Sequence, residues 1–293
     1  NTDEQYASLD FDFNTTLQLL DEANTNDNDL QIDGTSNIAT GTTATFGLGV
    51  ASGGTGSTTD GLDSGVDFVG AISGGGTIVV HAADNAIVGT TANNRFKAQG
   101  AVTLAAMTLR ASDSGANAGG NLTIADLGTG GDAVNITTFV ARAGKGQTNA
   151  AVIGGDLAIT DMQGALTGTT WSIQSGDGGD GGAGGAGGAG GTLTITNKTS
   201  GTTDVTTLNI FSGDGGDGGA DDVGGAGGTA RIIDWTTAIT STTVNIYGGD
   251  GGDGLLSDVS GTGGAGGEHL INVITGAVGN ASTDTLNIYG GAA

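Results

Sequence analysis

The sequence predicts an all-β fold, a β-solenoid-like stack of repeats of about 35–40 residues carrying glycine-rich arms of the polyglycine II type. Three observations predict it. Blocks of Thr, Ile and Val recur between glycine tracts, and these residue types favour strands. The chain holds 62 glycines and no proline, and a proline would delete a backbone donor from a ladder. The same short segments return along the chain, which is how a stacked architecture shows itself in sequence.

The repeat has two strand segments. One reads "TTWSIQSGDGGDGG" from Thr169, "TTLNIFSGDGGDGG" from Thr206, "TTVNIYGGDGGDG" from Thr242 and "DTLNIYGGAA" from Asp284. The other precedes it: "NLTIADL" at Asn121, "DLAITDM" at Asp156, "TLTITNK" at Thr192, "TARIIDW" at Thr229 and, more loosely, "EHLINVI" at Glu268. Each unit is therefore strand, turn, strand, glycine arm, and weaker copies continue upstream in "TTFVARAGKG" at Thr137 and "AAMTLRASDS" at Ala105. Successive copies from Thr137 to Asp284 lie 32 to 42 residues apart.

Within the second strand the alternation is clean. Phe139 and Ala141, Trp171 and Ile173, Leu208 and Ile210, Val244 and Ile246, and Leu286 and Ile288 share one face. Ser172, Asn209, Asn245 and Asn287 share the other. A two-strand unit with one apolar face cannot bury it alone, so stacking the units is the natural solution. Asn209, Asn245 and Asn287 would then form one ladder along the axis, and Phe211, Tyr247 and Tyr289 another. The alternative is a sandwich of ordinary hairpins that share an ancestral repeat.

In the arm "SGDGGDGGAGGAGGAGG", residues 175–191, glycine fills two of every three positions. That period matches a threefold extended helix rising about 3.1 Å per residue, which has no internal hydrogen bonds and can bond only laterally. Arms beginning at Gly176, Gly213 and Gly248 would lie side by side, and only such a lattice offsets the entropy that glycine loses on ordering. The tract resembles the polyglycine II regions of phage-tail adhesins and the GGA-rich repeats of mycobacterial surface proteins.

Stacking would also set Asp177, Asp214 and Asp250 in one column and Asp180, Asp217 and Asp253 in another, about 4.8 Å apart. Like charges at that spacing repel by about 1 kcal/mol in water and roughly 3–4 kcal/mol at an effective dielectric of 20. Hard oxygen donors without His or Cys select Ca²⁺, so these six are the expected metal ligands and Ca²⁺ the expected cofactor. The alternative is that the carboxylates are solvated and keep a glycine surface soluble. "GGDGGDGLL", from Gly248 to Leu256, resembles the calcium nonapeptide of repeats-in-toxin proteins, and that resemblance implies Asp253 as a ligand. The copies starting at Ser175 and Ser212 depart from it, because they begin with Ser and lack the hydrophobic eighth residue.

Residues 1–75 do not follow the unit and are expected to form an N-terminal β region, with the repeat domain spanning 76–293. In "SLDFDFNTTLQLL" the alternation of Leu9, Phe11, Phe13, Leu17 and Leu19 with polar residues predicts one long strand. It either caps the first coil of its own chain or adds to a neighbouring subunit. At the other end the last unit stops after Leu286, Ile288 and Tyr289 without a polar cap, and an open edge invites another chain. A head-to-tail contact that does not close gives a filament, so the expected partner is a second copy of the chain. The start at Asn1 is compatible with removal of a signal peptide or with an arbitrary start. Asn14, Asn121, Asn135, Asn197 and Asn280 stand in N-x-S/T sequons, which mark glycosylation or chance in so Thr-rich a chain.

Seven basic against 31 acidic side chains, a net charge of −24, argue against nucleic-acid and anionic-lipid partners. No apolar run reaches the roughly 20 residues of a membrane-spanning helix. Without cysteine there is neither disulfide nor thiolate site. His81 and His269 are isolated and expected as strand residues, and no carboxylate pair stands out beside the few basic groups, so no enzyme is expected. In repeat style the chain resembles bacterial surface-layer, passenger-domain and matrix proteins. The resemblance implies an extracellular structural subunit of a filament, sheath or surface layer; the alternative is an adhesin whose arms or aromatic ladder contact a glycan or receptor.

Overall fold

The computed structural model of the protein describes residues 4–19, 29–48, 63–82, 93–113, 118–148, 151–220, 222–254, 262–271 and 285–293. Its strands lie in two sheets and pair only in parallel. The first sheet runs in the order β1 (Glu4–Tyr6), β4 (Asp29–Ile32), β7 (Asp63–Phe68), β10 (Asn93–Ala98), β12 (Leu122–Leu127), β14 (Leu157–Met162), β16 (Leu193–Lys198), β18 (Ala230–Trp235), β20 (His269–Ile271). The second runs β2 (Asp10–Phe11), β5 (Ser36–Ile38), β8 (Ile72–Gly74), β11 (Val102–Arg110), β13 (Val134–Arg142), β15 (Leu166–Gln174), β17 (Thr203–Phe211), β19 (Thr243–Tyr247), β21 (Thr285–Tyr289). A side row of β3 (Thr15–Leu19), β6 (Thr43–Leu48) and β9 (Thr77–Ala82) joins this sheet at β11. Strands adjacent in sequence thus lie in different sheets, and each sheet is built from strands one coil apart. This is the expected β-solenoid-like stack.

The N-terminal coils belong to the same stack. β7 is in register with β10 over six residue pairs and β9 with β11 over five, so both sheets run through residue 75. The unit is disguised there because its second strand is broken in two. Gly41 and Gly74 occupy the breaks with φ of +80° and +112°, a region that side-chain-bearing residues rarely enter. In β11, β13, β15 and β17 no such break occurs and the strand runs for nine residues, β11 pairing with β8 at Val102 and with β9 from Ala106. The segment expected as one strand is likewise two: β2 pairs with β5 and β3 with β6, separated by a bend at residues 12–13. Alternation is lost at that bend, which is why Phe11 is buried while Phe13 is 72% exposed.

The core lies between the sheets, and its columns repeat nearly the same residue from coil to coil. Ile124, Ile159, Ile195 and Ile232 stand in register and are buried. Each such aliphatic side chain contributes about 1.5–3 kcal/mol on burial. An aromatic spine fills the N-terminal coils, with ring centroids 5.9 Å apart for Phe11 and Phe46, 5.8 Å for Phe46 and Phe68, and 6.1 Å for Phe68 and Phe96. Further along, Phe139 meets Trp171 at 4.8 Å, and the buried Trp171 indole donates to the Ile136 carbonyl at 3.0 Å.

One corner column runs Leu127, Met162, Lys198, Trp235. Lys198 is fully buried, and its ammonium donates to the carbonyls of Gly164 (2.8 Å), Gly201 (2.7 Å) and Ser200. Burial lowers its pKa from 10.5 to about 8. An amine with three donors closes the turn carbonyls that a thioether such as Met162 cannot.

Candidate assembly and ligand surface

The glycine arms fold out of the solenoid as a double layer. In the arm from Gly176, the chain runs out to Gly182, turns at Ala183–Gly184 and returns to Gly191. Gly178 and Gly181 donate to Asp214 and Asp217 carbonyls of the next outgoing arm at 2.7 and 2.6 Å. Gly188 and Gly191 donate back to Gly179 and Gly176 of their own outgoing segment at 2.8 and 2.7 Å. Gly187 and Gly190 donate to Val223 and Ala226 of the next returning segment, and Gly216 closes the lattice by donating to Gly188 at 2.8 Å. The bonds recur at every third residue, as a threefold extended chain with lateral partners requires.

Glycine is demanded by closeness here. A Cβ built on Gly213 would lie 1.8 Å from the Gly176 carbonyl oxygen, and one on Gly225 would lie 1.9 Å from that of Gly188. Serines lock the roots of the arms: the buried Ser175 hydroxyl donates to Gly191 O at 2.6 Å and accepts from Gly213 N at 2.8 Å. Ser212 repeats the pattern with Gly228 O and Gly249 N, both at 2.7 Å.

The third residue of each outgoing triplet is the aspartate, and the two columns form as expected. Asp177 Oδ1 accepts the Asp214 N–H at 3.2 Å, Asp214 Oδ1 that of Asp250 at 2.8 Å, and Asp250 Oδ1 that of Ala292 at 2.7 Å. In the second column Asp180 accepts from Asp217 at 3.2 Å and Asp217 from Asp253 at 2.9 Å. The glycine lattice supplies no backbone acceptor for these N–H groups, and the carboxylate does. The same device occurs where composition hid it: Asp113 accepts from Lys145 N, Asn121 from Asp156 N, and Asp156 from Thr192 N. The one sign of it in sequence is an Asx residue recurring at one coil position.

Charges in the first column alternate in part. Lys145 takes the position between Asp113 and Asp177, Arg110 pairs with Asp113, and Arg142 lies 3.5 Å from Asp177. Burial raises the pKa of Asp214 above 3.8, the neighbouring Asp177 and Asp250 add to the rise, and the bond from the Asp250 backbone opposes it. Among the described residues no three His, Asp or Glu side chains converge as a metal-holding group. With Oδ1 occupied by backbone donors, the columns string their remaining oxygens along the axis rather than around a point.

Both expected ladders stand on the outer face of the second sheet. Asn245 donates to Asn209 Oδ1 at 2.7 Å and Asn287 to Asn245 Oδ1 at 2.8 Å. Phe211 and Tyr247 lie 5.2 Å apart, and Tyr247 and Tyr289 stack at 5.4 Å with 6° between planes.

The residues expected to drive assembly divide. Phe11 is in the core, with Leu9, Leu17 and Ile288 packed partly against it, while Phe13, Leu286 and Tyr289 are exposed. Leu19 pairs with Leu48. Among the described residues β1, β2 and β3 are bonded on one side only, as are β20 and β21 at the far end of the stack. His81 lies in β9 and His269 in β20, both strand residues as expected. Of the sequons, Asn14 and Asn121 use their side-chain oxygens on neighbouring backbone, and Asn280 lies outside the described residues. No described helix is long and apolar enough to cross a membrane. No protein-family model, curated protein or solved structure matches the chain.

Proposed function

We propose that the protein is a structural subunit of an extracellular filament, sheath or surface layer that assembles end to end. The observation that supports this is that, among the described residues, every strand pairing is parallel and the outermost strands β1–β3 and β20–β21 are bonded on one side only. A second copy set with its first coil against the last coil of the first copy continues both sheets in the same direction, and repetition of that contact gives an open filament. Glycine arms that bond only to one another extend through the junction in the same way. The resemblance in repeat style to bacterial surface-layer and passenger proteins supports an exported location, as does the net charge of −24.

Strand addition between copies uses backbone bonds and needs no Ca²⁺; in the Asp columns the bonded backbone N–H groups occupy one oxygen of each carboxylate. Electron microscopy of the purified chain in millimolar Ca²⁺ and in chelator tests the proposal. Filaments in both conditions, with an axial repeat equal to the length of one stack, are expected. Monodisperse particles in both would overturn end-to-end assembly and favour an adhesin; filaments only with Ca²⁺ would return the Asp columns to the role of metal ligands.

A further inference from the structure

A groove of about 420 Å³ runs along the stack between the aromatic ladder of the second sheet and the root of the glycine arms. One wall is Phe211, Tyr247 and Tyr289; the other carries Asp214 and Asp250. The same two columns continue upstream with different chemistry. There the ring positions are held in register by Arg110, Arg142 and Gln174, and the guanidinium groups of the two arginines pair with Asp113 and Asp177.

The chain therefore supplies its own guanidinium where an arginine occupies the ring position, and the groove opens where rings replace the arginines. The ion pairs of Asp67, Asp126, Asp113 and Asp177 do not extend to Asp214 or Asp250, and Lys145 reaches Asp214 only through its field. Both of these carboxylates use Oδ1 on backbone N–H groups and carry a second oxygen.

We propose that this groove takes the guanidinium group of an arginine side chain presented by a partner polypeptide. Two carboxylates one coil apart, about 4.8 Å, suit the planar fork of a guanidinium better than the point charge of an ammonium. The Arg142–Asp177 pair is the internal copy of the contact, made by a strand side chain reaching the aspartate of the following coil. Phe211, Asp214, Tyr247 and Asp250 lie along the side of the stack, and the groove reaches the last coil, which the proposed filament contact uses, through Tyr289, Gly290 and Ala292.

The test is titration of the full chain with the peptide Gly-Arg-Gly-Arg-Gly and its lysine analogue at physiological salt, followed by calorimetry and amide chemical shifts. The arginine peptide is expected to shift residues 211–214 and 247–250 and to bind at least about fivefold tighter than the lysine peptide. Asp214→Asn with Asp250→Asn keeps both Oδ1 acceptors and is expected to weaken binding about tenfold or more. Asp180→Asn with Asp217→Asn removes the same charge outside the groove and is expected to change affinity less than about twofold. Tyr247→Leu, which leaves every charge in place, is expected to weaken the arginine peptide more than the lysine peptide. Equal loss in the two aspartate pairs, equal affinity for the two peptides, or no binding overturns the proposal and leaves only the field of an acidic chain.

Discussion

The carboxylate of Asp214 accepts the backbone N–H of Asp250 at 2.8 Å, one coil further along the stack. The acidic column expected from sequence to hold cations is also a row of backbone acceptors, each aspartate serving the next. Removing the acceptor and removing the charge are separable. Asp214→Ala leaves the Asp250 N–H to solvent and is expected to cost about 0.5–1.5 kcal/mol in urea unfolding, whereas Asp214→Asn keeps the bond.

The pH dependence of Asp214 has a definite sign. The folded state holds the Asp214 proton more tightly than the unfolded chain, because burial raises its pKa above 3.8. Its ionised form is disfavoured on folding, so this group's contribution to stability improves as pH falls through the folded value toward 3.8. Asp214→Asn is expected to raise the Tm at pH 7 and to flatten the profile in that acidic window; a lower Tm at pH 7 would contradict it.

Position decides what a methyl group does to a glycine. Gly213→Ala puts a Cβ 1.8 Å from the Gly176 carbonyl oxygen, a contact that only backbone movement relieves. Gly184, at the tip of the arm with φ +73°, has open space around it. Gly184→Ala is expected to cost about 1–2 kcal/mol from the left-handed conformation alone, and Gly213→Ala clearly more. Chemical denaturation of both variants checks the order.

Lys198 offers a second pH test of opposite origin. Its pKa falls from 10.5 to about 8, so the folded state releases its proton first and stability rises as pH climbs from about 8 toward 10.5. Lys198→Met, copying Met162 of the preceding coil, is expected to abolish that slope. It also leaves the carbonyls of Gly164, Ser200 and Gly201 without their donor, at a cost of about 1–3 kcal/mol for each group that water does not reach.

The amide ladder depends on each Asn being donor and acceptor at once. Asn245→Asp loses the donor to Asn209 Oδ1 and sets two oxygens face to face, with an expected loss of about 1–3 kcal/mol at neutral pH. The loss is expected to shrink when the new carboxyl is protonated, which thermal melts at pH 7 and pH 3 compare.

The repeat made most of this legible. Identical residues at one coil spacing place the Asn and aromatic ladders and both Asp columns in register from sequence alone, because a period of two and a parallel stack leave little freedom. The N-terminal coils were harder to read, since Gly41 and Gly74 split a strand that is continuous from β11 to β17 and the bend after Phe11 turns Phe13 outward. Side-chain roles were less visible still. Nothing in the spelling of "GGDGGD" says whether a carboxylate faces a cation or the N–H of its counterpart; that depends on which direction the glycine lattice leaves without an acceptor. Lys198 is invisible for a related reason, since its column otherwise reads Leu, Met and Trp.

Parallel in-register pairing also sets how the protein meets mechanical force. The bonds between coils point along the stack, so a pull from end to end strains all the bonds across one junction together, and the chain yields where a junction has fewest. That place lies near the amino end, where, among the described residues, the first junction rests on the strand pairs β1–β4, β2–β5 and β3–β6 with no glycine lattice beside them. A stretched molecule is expected to open from its first coils inward, while the coils anchored by the glycine lattice keep their length to the last.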